Sequence, residues 1–318
     1  MVSLVSTPVF DSYWRFACER QAIFIRRLNH QSGPWTSDPI FQEYRFTNAY
    51  RASDRVSQYL IREVQYRSDR PQSPSEIFFR TLLFKIFNRI DTWEGIETSV
   101  GPILWATIDL EAVARALACK IERGAPVYSA AYIMPAPKLG KRRKFENHLD
   151  LLTRMIDDRV PERLTQASSL RSAYELLLAY PGIGPFLAFQ YAIDLNYSAM
   201  LNFDEADFVV AGPGALDGIA KCFESTRGIR PEEVIFWMVE RQESEFARLG
   251  LRFQTLFGRR LQPVDCQNIF CEISKYSRAS HPDALGISGR TRIKQKYHPD
   301  PNPLPRQMYP PKWNLSCT

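Results

Sequence analysis

Most of the chain alternates between segments with apolar residues at helical spacing and short turns rich in Ser, Gly and Pro. This pattern predicts an all-α fold, with helices at 10–28, 77–90, 109–123, 146–157, 170–179, 186–195, 231–248 and 263–278. Segments 77–90 and 186–195 are apolar on most sides, so we expect both helices to be buried. Residues 124–134 are either a short strand or a buried helix, because periodicity does not distinguish the two in a short run.

Composition divides the chain into three parts. Residues 1–40 contain one helix, with Arg20, Arg26 and Arg27 expected on its exposed side, and a loop. Residues 41–280 carry the remaining helices and are expected to form the main domain. Residues 281–318 are basic and rich in Pro, a composition that builds no core, so we expect a flexible tail that is also a candidate for DNA contact.

A polar face is predicted in the segment 41–64, which leads into a helix ending near Val64. Its members recur at spacings of four, three and four residues: Thr47, Arg51, Asp54 and Gln58. The face is either a solvated surface with a weak Arg51–Asp54 pair or a polar wall that holds an anion.

The helix after Ser73-Pro-Ser-Glu76, a sequence that predicts a capping box, combines a buried character with polar residues. Four of these fall within an arc of about 140°: Arg80, Thr81, Lys85 and Asn88. Because an unpaired buried charge is costly, the two cations require either a bound phosphate or internal ion pairs with Asp54 or Asp91.

The last predicted helix has a second polar face, formed by Asp265, Asn268, Glu272 and Lys275. Beside it lies an apolar stripe of Cys266, Ile269, Ile273 and Tyr276. A solvent-facing polar stripe is the usual arrangement for an amphipathic helix. Asp and Asn are poor helix formers, which makes a functional role more credible.

A tight turn joins two predicted helices at 180–186, Tyr-Pro-Gly-Ile-Gly-Pro-Phe. Ser168 or Ser169 caps the first helix, Gly182 and Gly184 allow positive φ, and Pro185 suits the first turn of the second helix. The free N–H groups at the start of that second helix favour an anion such as a DNA phosphate. Asp204 lies 22 residues beyond Gly182 and is either catalytic or the N-cap of a helix starting at Glu205.

Two further segments are candidates for anion contact. The basic loop, residues 135–144, contains Lys141, Arg142 and Arg143 and either contacts DNA phosphates or is a solvated turn. Gly212-Pro-Gly214 either presents backbone amides to an anion or forms a tight interhelical turn.

Charge and cysteine content limit the function classes. The net charge of +6 and pI of about 9.0 modestly favour a polyanionic partner. The six cysteines (Cys18, Cys119, Cys222, Cys266, Cys271 and Cys317) are scattered, which favours a reduced intracellular protein, nuclear if eukaryotic and cytoplasmic if bacterial or viral. Only Cys266 and Cys271 are close in sequence, so we expect neither an iron–sulfur cluster nor a zinc site. No apolar run is long enough to span a membrane, and no signal peptide precedes the first helix.

The helix–turn–helix at 180–186 with Asp204 resembles the helix-hairpin-helix DNA glycosylase superfamily, in which a catalytic Asp follows the turn at a similar distance. Five motifs in order sharpen this resemblance: 45–54, 79–88, 180–184, 204–214 and 265–276. Together they resemble the α-glutamyl/putrescinyl thymine pyrophosphorylase family, which is related to the helical domain of 5-hydroxymethyl-deoxyuridine DNA kinases. The resemblance covers roughly residues 40–280.

The resemblance implies a glycosylase-like all-helical fold and a reaction on DNA. In that reaction an amino acid or polyamine replaces pyrophosphate on an activated 5-hydroxymethyl-uracil. The partners implied are DNA, a small amine or amino-acid donor and, because no Walker motif is present, a separate base kinase. No resident cofactor is expected, although a divalent metal could accompany the pyrophosphate.

Residue type and family position assign roles within this reaction. Asp204 or Asp207 takes the proton of the amine, and Asn268, Glu272 and Lys275 complete the catalytic pocket. Substrate and phosphate are held by Arg45, Asn48, Arg51, Arg80, Lys85 and Asn88. The flipped base stacks on Phe46, Tyr50, Trp93 or Tyr191, all of which are equally good core residues. Gly182, Gly184 and the basic loop contact the DNA backbone.

Two other functions remain open. A monofunctional N-glycosylase would use Asp204 to stabilise the sugar cation, and a non-catalytic DNA-binding module would use only the hairpin and the basic residues. Lyase chemistry is not expected, because Phe186 stands where bifunctional glycosylases carry a nucleophilic Lys.

Overall fold

The computed structural model describes residues 4–300 and 302–315 of the 318-residue chain; Cys317 lies outside them. Within these residues the structure is mostly helical, which confirms the predicted all-α class. The α-helices are α1 (Pro8–Leu28), α2 (Pro39–Glu43), α3 (Arg55–Tyr59), α4 (Pro74–Phe87), α5 (Ile90–Val100), α6 (Leu110–Glu122), α7 (Lys144–Asp157), α8 (Val160–Thr165), α9 (Leu170–Leu178), α10 (Pro185–Tyr197), α11 (Pro213–Cys222), α12 (Pro231–Arg248) and α13 (Pro263–Ser280). Two short strands, β1 (Val5–Ser6) and β2 (Phe223–Ser225), pair antiparallel.

The chain packs as two compact units. In the described part of the chain, the first unit consists of residues 4–54, 208–300, 302–307 and 315, and the second of residues 55–207 and 308–314. The domain boundaries predicted from composition, near 40 and 280, remain a prediction. Among the described residues, no helix is both long and apolar enough to cross a bilayer.

Local sequence signals account for where several helices begin. Thr7 Oγ1 accepts a hydrogen bond from Val9 N at the start of α1, and Asp109 caps α6 in the same way. Ser169, one of the two caps that the sequence analysis considered, caps α9, and it does so in a reciprocal box with Ser172. Pro residues occupy the first turn of α1, α4 and α10, where a missing N–H costs no intrahelical bond.

The first unit is organised around the close contact of α11 with α13. Two glycines of α11 make this contact possible. A Cβ atom on Gly214 would lie 2.2 Å from Cys271 Sγ, and one on Gly218 would lie 2.0 Å from the carbonyl oxygen of Phe270. Gly212-Pro-Gly214 is therefore the N-terminus of α11 packed against α13, and the packing explains Gly214 without an anion.

The second unit surrounds α4, which is buried on nearly every side and packs against α5, α7, α8 and α10. The helix–turn–helix predicted at 180–186 is present as α9, a turn and α10, with Gly182 at φ +80°. All of α10 beyond Phe186 is buried, as predicted. Membership of the glycosylase superfamily remains a prediction.

Three local predictions are wrong. Residues 45–50 are not helical, so the predicted helix face does not exist; its members were Thr47, Arg51, Asp54 and Gln58. The chain instead forms a 3₁₀ turn at Arg51–Ser53, followed by α3 and a π-helical segment, Leu60–Gln65. Ser73 makes no side-chain cap on α4. Residues 124–134 form neither a strand nor a helix, because their side chains and carbonyls are anchored individually on neighbouring helices.

The described part of the segment after α13 makes specific contacts, contrary to the expectation that it builds no core. In the first unit, Arg45 N donates to Gln295 O at 3.0 Å and Tyr297 N to Glu43 O at 2.9 Å. In the second unit, Tyr309 is buried and Lys312 Nζ donates to carbonyl oxygens just past α10, including Ser198 O at 3.1 Å. A cation at a helix C-terminus is favourable, because the helix dipole places negative charge there.

Candidate functional site

In the first unit, the polar face of α13 is not a solvent-facing stripe, because it packs against the irregular segment 45–54. Asp265 is buried, and its Oδ1 accepts a hydrogen bond from Arg51 N at 2.8 Å. Its Oδ2 accepts from Gln262 N at 3.0 Å. Burial raises the pKa of Asp265 to about 6, although both N–H donors act against the rise.

Two more side chains of α13 bind the same segment. Asn268 Nδ2 donates to Thr47 Oγ1 at 3.1 Å and to Asn48 O at 3.0 Å. Glu272 Oε2 accepts from Thr47 N at 3.0 Å and lies 2.7 Å from Lys275 Nζ. A non-helical backbone must find partners for its buried polar groups elsewhere, and here α13 supplies them.

A carboxyl and a guanidinium complete this polar cluster. Asp54 Oδ1 accepts from Asn48 N at 2.7 Å. Burial raises the pKa of Asp54 to about 7, against the opposing effects of the Asn48 amide and the Arg20 charge. Burial lowers the pKa of Arg20 to about 10, while Asp54 and Glu272 favour its charged form. A pKa raised in this way suits a general base or acid that works near neutral pH.

Asn48 carries an acceptor that the protein leaves unsatisfied within the described residues. Its Nδ2 donates to Ser53 O at 2.6 Å, but its Oδ1 is buried and has no hydrogen-bond donor. Since buried polar atoms normally have partners, this atom is a natural position for a donor from a ligand or a water molecule.

A cavity of about 720 Å³ adjoins the polar cluster in the first unit, within the size range of small-molecule sites. Arg20 belongs to both, since it lines the cavity and interacts electrostatically with Asp54 and Glu272. The cavity is also lined by a second arginine and by aromatic side chains: Arg27, Trp35, Phe41, Tyr44, Phe46 and Tyr297. Aromatic faces and guanidinium groups together suit a planar ring that carries negative charge.

The sequence identified part of this site and missed the rest. The structure brings Asn48, Arg51, Asn268, Glu272 and Lys275 together in the first unit, whereas Arg45 is exposed. Arg20, Arg26 and Arg27 are half-buried rather than exposed, and Arg20 and Arg27 line the cavity. The cavity was missed because one wall comes from Tyr297, Pro299 and residues 302–304, which composition assigned to a flexible tail.

The proposed stacking residues are largely part of the core. Tyr50, Trp93 and Tyr191 are buried within their units. Phe46 is also buried, but it lines the cavity and lies 4.6 Å from Lys275 Nζ, measured to the ring centroid. Only Phe46 among the four is therefore placed to contact a ligand in the cavity.

The cations of α4 do not form a phosphate site. Arg80 lies 3.1 Å from Glu76 Oε2 and donates to the carbonyl oxygens of Val64 and Pro71. Lys85 pairs with Asp194 at 3.3 Å and donates to Asn88 Oδ1 at 2.8 Å. The internal ion pairs that the sequence analysis considered are thus present, with Glu76 and Asp194 in place of Asp54 and Asp91.

Asp204 and Asp207 lie in the second unit, on an exposed turn after α10. Asp204 Oδ1 accepts from Ala206 N at 2.8 Å, and no helix begins at Glu205, so the N-cap alternative is wrong. The predicted catalytic set therefore divides between the units, with Glu272 and Lys275 in the first.

The hairpin and the basic loop lie side by side in the second unit. A Cβ atom on Gly182 would lie 3.2 Å from backbone atoms of Pro137, so the loop packs directly on the turn. Lys141, Arg142 and Arg143 are exposed. Gly184 gives α10 no side-chain cap, which leaves the first N–H groups of the helix available to an anion.

Comparison with known proteins places the chain in a family. The model of the helical domain of 5-hmdU DNA kinase matches residues 7–286. The chain belongs to that family. It is 29% identical over 288 residues to a 5-hmdU DNA kinase of Bacillus phage SP10, covering 84% of this chain. It spans 45% of the length of that relative. No solved structure matches the chain significantly. The predicted relation to the kinase helical domain is thereby confirmed.

Proposed function

We propose that the chain modifies 5-hydroxymethyl-uracil in DNA by replacing the pyrophosphate of an activated base with an amine. The match of residues 7–286 to the helical domain of 5-hmdU DNA kinase carries this proposal, because it links the chain to that base in DNA. The cavity of the first unit is lined by side chains that suit this reaction. It combines aromatic walls with two arginines, and one of these, Arg20, interacts electrostatically with Asp54 of the adjoining polar cluster.

Each part of the site has a role in the proposed reaction. Aromatic side chains such as Phe46 and Tyr297 hold the uracil ring, and Arg20 and Arg27 hold the diphosphate. The amine nitrogen forms a bond to the methylene carbon while the carbon–oxygen bond to pyrophosphate breaks. Asp54 accepts the proton that the amine loses. Asn48 Oδ1 accepts a hydrogen bond from a ring or amine N–H.

Asp204 and Asp207, proposed from the sequence as the proton acceptors, compete with Asp54 for this role. Both are exposed in the second unit, whereas Asp54 interacts with Arg20 of the cavity wall and burial raises the pKa of Asp54 to about 7. We therefore assign the proton transfer to Asp54.

The experiment is mass analysis of nucleosides from duplex DNA that carries pyrophosphorylated 5-hydroxymethyl-uracil, after incubation with the protein and a mixture of amines. The expected products are a heavier nucleoside, whose mass identifies the donor, and free pyrophosphate. Asp54→Asn and Arg20→Gln are each expected to lower the rate by about 100-fold or more, as losses of a general base or a charge-stabilising group do. Arg15→Gln, an exposed substitution on the same helix, should leave the rate unchanged. A free base with an abasic site would replace the proposal with a glycosylase.

A second candidate function follows from the activity of the phage relative. The relative is a kinase of 5-hmdU in DNA, and the chain corresponds to less than half of it. The chain would then hold the base for phosphorylation rather than transfer an amine. Adding ATP and DNA with unactivated 5-hydroxymethyl-uracil to the same assay separates the two. Binding without amine transfer, and phosphorylation only when a kinase is added, would favour this second function.

A further inference from the structure

The second unit exposes an isoleucine next to the basic loop. The side chain of Ile133 is 90% exposed, which is the highest value among the exposed large apolar side chains of the described residues. It lies between α6 and α7, in the irregular segment 124–134. Single exposed apolar residues are common and by themselves indicate nothing. What distinguishes Ile133 is the way in which its neighbours hold it.

Both neighbours of Ile133 are anchored on α10. The ring centroid of Tyr132 lies 5.6 Å from that of Phe186. Met134 is buried, and its Sδ accepts a hydrogen bond from Tyr191 Oη at 3.3 Å. The backbone on either side of Ile133 is therefore held down, and its own side chain points away from the unit.

A neutral histidine ties the same segment to α7. His148 Nδ1 lies 2.8 Å from Tyr128 Oη, and its Nε2 lies 2.9 Å from Pro135 O. Burial lowers the pKa of His148 to about 4, so at neutral pH the ring has one N–H, which fits donation to the carbonyl of Pro135. Nδ1 is then the acceptor for the Tyr128 hydroxyl. Ile133 is thus presented by a preorganised segment, which lowers the entropy cost of binding a partner.

The surroundings of Ile133 are basic. Lys138, Lys141, Arg142 and Arg143 are exposed in the loop that follows it. The nearby acids Glu122 and Glu146 contact Arg143, through its side chain and its backbone N–H respectively. The loop packs on Gly182, next to the uncapped N-terminus of α10. This charge pattern complements a phosphate backbone, and an apolar side chain among phosphate contacts is the arrangement that proteins use to wedge open base steps.

We infer that Ile133 inserts between base pairs of duplex DNA that is held by the basic loop and the hairpin turn, and unstacks the base beside it. The choice of DNA as the partner rests on the proposed function. Insertion exposes the unstacked base, which an enzyme acting on a base inside a duplex requires.

The test uses duplex DNA with 5-hydroxymethyl-uracil beside 2-aminopurine, whose fluorescence rises when it unstacks. The full chain should raise the fluorescence on binding. Ile133→Ala should reduce this rise by about fivefold or more and change the affinity much less, because unstacking depends on the wedge and most of the affinity on phosphate contacts. Ile133→Leu should retain the rise. Ile121→Ala, the matched control on α6, removes an exposed isoleucine of the same unit and should have no effect.

The outcomes separate the wedge from the proposed function. An unchanged fluorescence rise with Ile133→Ala, when the protein binds normally, would overturn the wedge and leave amine transfer standing. Loss of the rise in Ile133→Ala without any base modification by the unmodified chain would support the wedge and refute amine transfer. If the unmodified chain binds no duplex, the wedge is refuted. In that case a protein that captures Ile133 would be the better explanation of its exposure.

Discussion

Asp54 keeps its proton to about neutral pH, because burial outweighs the hydrogen bond from Asn48 and the charge of Arg20. A carboxyl of this kind lowers stability at high pH and supplies a proton acceptor at working pH. Asp265, with a pKa raised to about 6, belongs to the same group of buried acids. At the scale of single residues, burial disfavours the charged form of both acids, so each of them lowers the stability of the folded protein once it ionises. Perturbed pKa values of this kind are frequent at functional sites.

The pH dependence of the free energy of unfolding tests whether burial raises the pKa of Asp54. The folded pKa of Asp54 lies above the ordinary value of 3.8, so its contribution to stability is fully present below about pH 4 and is lost as the pH rises through about 7. Asp54→Asn removes this titration, so the free energy of unfolding should fall less between pH 4.5 and 8 than in the unmodified chain. Urea denaturation at several pH values measures it.

The control for this prediction is Asp283→Asn, an exposed substitution in the same unit, which should leave the pH dependence unchanged. An Asp54→Asn curve parallel to that of the unmodified chain would mean that Asp54 is charged throughout this range.

At the scale of elements, the first unit depends on how closely α11 approaches α13. Gly218 faces the Phe270 carbonyl, and Gly214 faces Cys271. Because the polar cluster is built from α13, the packing that fixes α13 also positions Asp265, Asn268 and Glu272. The elements of the second unit are fixed differently, around the buried helix α4, whose Lys85 pairs with Asp194 of α10.

Gly218→Ala is expected to destabilise the protein by about 2–3 kcal/mol, since an added methyl group in a packed contact forces backbone movement. The nearest obstacle is a backbone oxygen, which cannot rotate away. Thermal denaturation measures the loss. Gly95→Ala is the matched control, because a Cβ atom there has no neighbour within 4 Å and Ala is about 0.5–1 kcal/mol better than Gly inside a helix. Equal melting temperatures for both variants would contradict the close contact.

At the scale of the whole molecule, the excess of basic residues is modest, so the distribution of charge matters more than its sum. Two exposed clusters could contact DNA: the basic loop in the second unit and Arg290, Arg292 and Lys294 in the first. Only the basic loop lies beside a free helix N-terminus and an anchored apolar side chain. We therefore expect the basic loop to make most of the phosphate contacts.

Salt dependence distinguishes the two clusters. Replacing Lys141, Arg142 and Arg143 by Gln should reduce the slope of log affinity against log salt by about 2–3, since each lost phosphate contact removes about 0.9 from it. The matched triple replacement of Arg290, Arg292 and Lys294 should change it by less than about 1. Binding titrations of duplex DNA at several salt concentrations measure both. The reverse result would place the DNA contacts on the segment after α13.

The sequence by itself determined the helical class, most helix positions and the turn at 180–186. These features depend on signals that are local in the chain, such as apolar spacing, the cap at Ser169 and the proline at 185. It also identified the polar residues of α13, because a helical repeat places them on one face. The relation to the helical domain of 5-hmdU DNA kinase was likewise readable from short motifs in order.

Only the tertiary structure decided which polar residues are partners and which face a cavity. Arg80 and Lys85 are neutralised by Glu76 and Asp194, and the second of these pairings joins residues far apart in sequence. The cavity combines side chains of α1 with Tyr297, Pro299 and residues 302–304. Periodicity assigns a residue to a face but not to the neighbour that covers it, because that neighbour comes from elsewhere in the chain.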